Sequence, residues 1–177
     1  HETVADSTFS ELGYASTSAG ITRLRDANTA AWREHGVNNK AVLLRGAEHA
    51  AGSRAVVVGA GKLYDIPLRK LAERFEQLLL VDVDAAALTE SVKQAGLEPK
   101  LQARLSLIQT DVTGINDVFV DRARAALALS DEVEVYAALL RLLQDNRVDA
   151  PPRLFPESVA EGPLDFACSS MVLSQLA

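Results

Sequence analysis

Hydrophobic positions follow two different spacings along the chain, with the change near Gly52. Before that point they recur mostly every three or four residues, which is typical of amphipathic helices. This spacing predicts one helix over Ile21–Gly36, with Ser18 available as its N-cap, and a second helix over about 38–50. The first twenty residues are small, polar and aperiodic, and they predict an arm or loop.

After Gly52, short apolar runs alternate with amphipathic segments. The continuous runs at 54–59 and 78–82 predict strands that are buried on both faces, and two further strands are predicted at 105–109 and 164–168. The amphipathic segments predict helices at 66–75, 85–95, 115–127, 131–143 and 172–176. Three prolines within 146–162 predict a loop. This alternation predicts an α/β fold, with a doubly wound, mostly parallel sheet, helices on both of its faces and an N-terminal helical extension.

Composition excludes several classes of protein. The 177 residues are 48% hydrophobic, which is ample for a core, and they contain a single cysteine, Cys168. One cysteine rules out an internal disulfide framework and a multi-cysteine zinc site. The formal net charge of −6 argues against nucleic acid and anionic membrane as partners. No apolar run is long enough for a membrane span. We therefore expect a soluble, cytoplasmic protein.

Candidate ligand-binding residues follow three of the predicted strands. In an open parallel sheet the ligand lies beyond the carboxyl ends of the strands. Gly59–Gly61 follows the first strand and leads into a helix, whose free N–H groups favour a ligand there. Asp82 follows the second strand at the distance typical of a carboxylate that binds a ribose diol, whereas Asp84 suits a helix cap. Asp111 follows the third strand. A plain turn and plain helix caps remain the alternative interpretation of all these positions.

In order and spacing, four segments resemble the class I S-adenosylmethionine-dependent methyltransferases: Val56–Gly61, Leu79–Asp84, Ile108–Val112 and Leu164–Leu176. The resemblance implies a Rossmann-like fold and S-adenosylmethionine as cofactor, with S-adenosylhomocysteine as product. The cofactor-binding residues that it implies are Gly59, Ala60, Gly61, Asp82, Val83, Asp111, Val112 and Ser169. The glycine segment would line the methionine part, Asp82 the ribose, Asp111 and Val112 the adenine, and Ser169 the sulfonium.

The chain departs from the family pattern at two positions. Val57 stands where the family usually has an acid, and Leu63 stands where a third glycine is common. These departures keep open a non-catalytic nucleotide-binding or scaffold domain of the same fold. An NAD(P)-dependent oxidoreductase is a further alternative, but its fingerprint wants a glycine at Tyr64, beside a pyrophosphate.

The methyl acceptor is not identified by the sequence. A small molecule or a protein is favoured over nucleic acid, because residues 168–171 lack the Asp/Asn-Pro-Pro-aromatic motif of the nucleic-acid amino-methylating enzymes. No catalytic residue and no metal site is assigned. His35 and His49 are interpreted as structural, and Cys168 as a small buried hydrophobe. Several residues near the N-terminus could cover the cofactor, namely Tyr14, Arg23, Arg25, Trp32 and Arg33.

We expect two regions: an arm with helices at 1–52, and a cofactor-binding domain at 53–177 with a helical insertion at about 128–162. Only four of the seven strands of the family fold are accounted for, so we expect that the C-terminal strands are lacking. The insertion has an apolar stripe for which core packing is the simplest explanation, a lid or a partner-binding face being the alternatives. Its residues are Val133, Val135, Ala138, Leu139 and Leu142.

Overall fold

The computed structural model describes residues 12–112, 116–144 and 162–169. The chain divides into two compact units. We call the first the sheet unit, which is described over 14–110 and 162–169. We call the second the helical unit, which is described over 12–13, 111–112 and 116–144.

The sheet unit contains five of the described helices and all the described strands. Its helices are α1 (Tyr14–Ala27), α2 (Thr29–Glu48), α3 (Leu68–Arg74), α4 (Ala85–Gln94) and α5 (Pro99–Gln102). Its strands are β1 (Arg54–Val58), β2 (Gln77–Asp82), β3 (Leu105–Gln109) and β4 (Phe166–Ser169). The helical unit contains α6 (Asn116–Leu127) and α7 (Glu132–Gln144).

The described strands form one parallel sheet in the order β3-β2-β1-β4. This order is that of the first four strands of a doubly wound dinucleotide-binding sheet. With helices flanking the sheet and two helices before it, the molecule has an α/β, Rossmann-like fold with a helical N-terminus. The fold class predicted from the alternating pattern is confirmed.

The two central strands are buried on both faces, which explains their continuous apolar runs. Ala55 and Val57 of β1 pack in one core cluster with Leu78 and Leu80 of β2, and each of the four is 0% exposed. The residues between them on the strands, such as Val56 and Leu79, are equally buried. In a strand covered on one face only, one of these two sets of side chains would be exposed to water. Burying a valine or leucine side chain contributes about 1.5–3 kcal/mol.

The N-terminal helices differ from the prediction. Helix α1 already begins at Tyr14, so the end of the predicted arm is helical, and Ser18 lies inside this helix instead of capping it. The two helices are separated at Asn28, not at Gly36. Gly36 is buried inside α2, and a Cβ added there would lie 3.1 Å from Oδ1 of Asp65. This glycine therefore permits a close contact with the loop after β1, and does not end a helix.

The other predicted elements lie within a few residues of those described. Strand β4 is shifted towards the C-terminus by one to two residues, and α5, with Pro99 in its first turn, was not predicted. The predicted loop at 146–162 and the predicted helix at 172–176 lie outside the described residues, apart from Gly162. None of the described helices has both the length and the apolar composition needed to cross a membrane.

Candidate functional site

The carboxyl ends of β1, β2 and β4 meet at one edge of the sheet. In the register of the parallel pairs, Val58 lies opposite Val81 on one side and opposite Ser169 on the other. The chain leaves β1 to form β2 on one side, and it returns to form β4 on the other side. This reversal of strand order is the position at which open α/β sheets bind ligands.

The glycine turn after β1 is held against β2 by its backbone. The N–H groups of Gly59 and Ala60 both donate to the carbonyl oxygen of Val81, at 2.9 and 3.1 Å. Gly59 has φ +70° and Gly61 has φ +45°. Glycine adopts these left-handed conformations without a Cβ clash. The turn therefore presents bare backbone at the strand ends, which a ligand can approach closely.

Asp82 fixes the turn from the end of β2. Its Oδ2 accepts a hydrogen bond of 2.7 Å from the N–H of Gly61, and its Oδ1 accepts one of 2.9 Å from the N–H of Asp84. Burial raises the pKa of the Asp82 carboxyl above its ordinary value, although these two N–H groups act in the opposite direction. Each carboxylate oxygen can accept more than one hydrogen bond. Asp82 can therefore hold the turn and still accept from a ligand hydroxyl.

Asp84 is the N-cap of α4, as predicted. Its Oδ1 accepts a hydrogen bond of 2.9 Å from the N–H of Ala87 in the first turn of the helix. Its Oδ2 accepts a hydrogen bond of 2.7 Å from the hydroxyl of Ser18 on α1. The two neighbouring carboxylates thus have different structural roles. Asp82 holds the glycine turn, and Asp84 caps one helix while it binds another.

Helix α1 also contacts the loop after β1, through Tyr64. The hydroxyl groups of Thr22 and Tyr64 are 3.1 Å apart, and the Arg25 guanidinium lies 3.9 Å from the centre of the Tyr64 ring. Together with the Ser18 contact, these interactions attach α1 to the loops that follow β1 and β2. Of the predicted covering residues, Arg25 has such a contact. Trp32 instead packs edge-on against His35 on α2.

The two departures from the glycine pattern have different structural effects. Leu63 adopts φ +57°, which makes it the one non-glycine residue with positive φ among those described. Its N–H donates to the carbonyl oxygen of Ala60 at 2.9 Å, and its side chain packs against the core cluster. The left-handed backbone that glycine favours is therefore present at Leu63. Val57, in contrast, is fully buried in the core and brings no polar group to the site.

The sequence offers Asp65 as a replacement for some of the polarity that the glycine motif lacks, without indicating its partners. In the described part of the chain it is the one buried charged side chain, at 6% exposure, and its Oδ2 lies 3.9 Å from Nε2 of His35. Nε2 of His35 also lies 3.1 Å from the side-chain nitrogen of Asn39. The available signal was an acidic residue directly between the glycine turn and α3. His35 thus packs beside the loop after β1.

Six of the predicted site residues lie at this edge of the sheet unit: Gly59, Ala60, Gly61, Asp82, Val83 and Ser169. The carbonyl oxygen of Val83 accepts a hydrogen bond of 3.2 Å from the side chain of Gln109. Asp111 and Val112 are half-buried and belong to the helical unit. No group of three or more histidine, cysteine, aspartate or glutamate side chains suited to a metal ion occurs over 12–112, 116–144 and 162–169.

Comparisons of the chain with protein-family models, with curated proteins and with solved structures give no match.

Proposed function

We propose that the protein is an S-adenosylmethionine-dependent methyltransferase acting on a small molecule or a protein. The observation that carries this proposal is the Asp82 carboxylate, which closes the glycine turn at the point where the strand order reverses. A ligand at this point meets bare backbone at Gly59 and Gly61 and a carboxylate at the end of the neighbouring strand. This combination suits a nucleoside with a free ribose diol.

The residues present suit an adenosyl ligand better than a dinucleotide. A pyrophosphate needs close helix–strand packing, which a third glycine at position 64 would allow. Tyr64 occupies that position, and its side chain is engaged by Thr22 and Arg25 of α1. S-adenosylmethionine has no pyrophosphate, so Tyr64 is no obstacle to it. Asp82 keeps acceptor capacity for the ribose hydroxyls. Ser169, which lies opposite Val58 of β1, would be near the sulfonium end of the ligand.

The chemistry requires little of the protein beyond binding and orientation. When bound, S-adenosylmethionine supplies an activated methyl group on a sulfonium. The residues of this chain would hold the ribose through Asp82 and fix the nucleoside against the glycine turn. Holding the acceptor in line with the methyl group can supply most of the rate enhancement.

Calorimetry with S-adenosylmethionine and S-adenosylhomocysteine tests the proposal. We expect both to bind the wild-type protein, and Asp82→Asn to bind at least tenfold more weakly, because an amide cannot accept from the backbone and the ribose on both of its ends. Asp121→Asn, an exposed substitution on α6, is the matched control and should bind normally. A folded wild-type protein that binds neither compound would contradict the proposal, and binding of NAD(P) alone would favour the oxidoreductase.

A non-catalytic adenosyl-binding or scaffold domain is the second candidate. The fully buried Val57 favours it, because no acid is present where the methyltransferase resemblance has one. Both candidates predict cofactor binding, so transfer of a labelled methyl group separates them. Labelling of a small-molecule or protein pool by the wild type, reduced in Asp82→Asn, supports the enzyme. Binding without labelling in any pool supports the scaffold.

A further inference from the structure

Helix α1 places three polar side chains of one face against the loops that follow β1 and β2. Ser18, Thr22 and Arg25 are separated by four and three positions, so they lie on the same side of the helix. Ser18 contacts Asp84, which follows β2. Thr22 and Arg25 contact Tyr64, which follows β1. Helix α1 therefore runs from the end of β2 towards the end of β1.

The Arg25 guanidinium lies against an aromatic ring but has no anionic partner among the described residues. Its central carbon is 3.9 Å from the centre of the Tyr64 ring, and the side chain is half-buried. Over 12–112, 116–144 and 162–169, its N–H groups donate to no protein atom and it forms no ion pair. Contact with the face of a ring leaves these donors available, and a carboxylate can accept two of them in parallel.

The charged side chains of the loop after β1 add positive charge at this end of the site. Lys62 directly follows the glycine turn and is half-buried. The acid of the same loop, Asp65, is buried against α2, where its carboxylate lies near His35 and Gly36. A ligand carboxylate at this loop would therefore meet the positive charges of Arg25 and Lys62 and no exposed acid of the loop.

We propose that Arg25 binds the carboxylate of the methionine part of S-adenosylmethionine, and that the Tyr64 ring positions the guanidinium for this contact. The inference rests on the proposed function, in which the ribose lies at Asp82 after β2 and the methionine part extends along the glycine turn after β1. The contacts of α1 advance in the same direction, because Arg25 is seven residues, or about 10 Å, further along the helix than Ser18. Arg25 is thus on the side of the site where the methionine part would lie.

The absence of an acid at Val57 is consistent with recognition through the carboxylate. The methionine part carries both an ammonium and a carboxylate group. Val57 is 0% exposed and offers no anion to the ammonium, whereas Arg25 offers a cation to the carboxylate. A charge-assisted, bidentate pair is stronger than a neutral hydrogen bond, and partial burial reduces its screening by water. We therefore expect the site to prefer adenosyl ligands that carry this carboxylate.

Calorimetry with S-adenosylhomocysteine and its decarboxylated analogue tests the role of Arg25. The analogue keeps the adenosyl and amino groups and lacks only the carboxylate. We expect the wild type to bind S-adenosylhomocysteine at least tenfold more tightly than the analogue, and Arg25→Gln to lose this preference. Arg45→Gln, an exposed substitution on α2, is the matched control and should keep the preference.

Binding of the analogue by Arg25→Gln also shows whether the site of this variant is folded. Equal affinities of the wild type for the two compounds, or an unchanged preference in Arg25→Gln, would overturn this inference and leave the proposed function standing. A larger loss of preference in Lys62→Gln than in Arg25→Gln would assign the carboxylate to Lys62 and would also overturn it. A folded wild type that binds neither compound would contradict the proposed function, and this inference with it.

Two substitutions at Tyr64 test the positioning role of its ring. Tyr64→Phe keeps the ring face against Arg25 and removes the hydroxyl contact with Thr22, so it should keep the preference for S-adenosylhomocysteine. Tyr64→Leu removes the ring face, so its preference should fall towards that of Arg25→Gln. A full wild-type preference in Tyr64→Leu would show that the ring does not position the guanidinium, and would overturn that part of the proposal.

Discussion

Substitutions at Leu63 test whether the backbone just after the glycine turn is strained. A residue with a Cβ in the left-handed conformation costs roughly 1–2 kcal/mol relative to ordinary helical backbone, and glycine does not incur this cost. Leu63 has φ +57°, so the protein tolerates this cost in its folded state. Its side chain offsets part of the cost, because it packs against the core cluster.

Comparing Leu63→Ala with Leu63→Gly separates these two contributions. Both substitutions remove the packing of the side chain, which we expect to cost about 1–2 kcal/mol at this half-buried position. Alanine keeps the Cβ and therefore the strain. Glycine removes the strain, but its greater freedom in the unfolded chain destabilises the folded state by about 0.5–1 kcal/mol. We therefore expect Leu63→Gly to be more stable than Leu63→Ala by about 0.5–1 kcal/mol.

Urea unfolding measured by circular dichroism provides the free energies of unfolding. The control is Ala86→Gly on the exposed side of α4, where the same exchange should destabilise by about 1 kcal/mol because the backbone is helical. The sign of the glycine–alanine difference must therefore be opposite at the two positions. If Leu63→Ala is more stable than Leu63→Gly, the backbone at residue 63 is not strained and the argument fails.

Three further predictions concern individual side chains. Asp84→Ala should lower the free energy of unfolding by about 1 kcal/mol, because α4 loses its cap. A double-mutant cycle with Ser18→Ala should show coupling between the two residues. Additive effects would contradict the contact between Asp84 and α1. Since the pKa of Asp82 is raised in the folded protein, its contribution to stability is present below the unfolded value of 3.8 and is lost as the pH rises through the folded value. Wild type should therefore lose stability relative to Asp82→Asn as the pH rises above the unfolded value of 3.8 in urea titrations, and a constant difference would contradict this sign. Burial raises the pKa of the Cys168 thiol to about 11. Alkylation by iodoacetamide at mildly alkaline pH should therefore be roughly a hundredfold slower in the native protein than in urea. Equal rates would show an accessible thiolate and contradict the prediction.

The strands were predictable because their sequence pattern has one simple physical cause. Runs such as Leu78–Val81 leave no polar position for either face, so they require a strand covered on both sides. Parallel order followed from the helices between them. The cap at Asp84 was equally accessible, because this residue immediately precedes a helix. The hydrogen bond from Gly61 to Asp82 was not predicted, and the ligand role of Asp82 stays a prediction.

The backbone at Leu63 and the role of Gly36 were not predictable. Leucine favours negative φ, so nothing local indicates a left-handed residue there; the turn from β1 into α3 imposes it. Gly36 looked like a helix end because glycine is a poor helix former. Its reason for being there is the Asp65 carboxylate, which is close in space but 29 positions away in sequence.

The start of α1 shows the same limit at the candidate site. Over Tyr14–Gly20 the helix has the sequence YASTSAG, whose serine, threonine and glycine residues are weak helix formers and give no apolar stripe. Ser18 and, one turn further along, Thr22 instead make polar contacts with Asp84 and Tyr64. Ser18 is one of the hydroxyl residues that conceal this helix from a search for hydrophobic periodicity, and it also attaches the helix to Asp84 after β2. A polar, aperiodic segment next to a predicted ligand site is accordingly better interpreted as a candidate covering helix than as a loop.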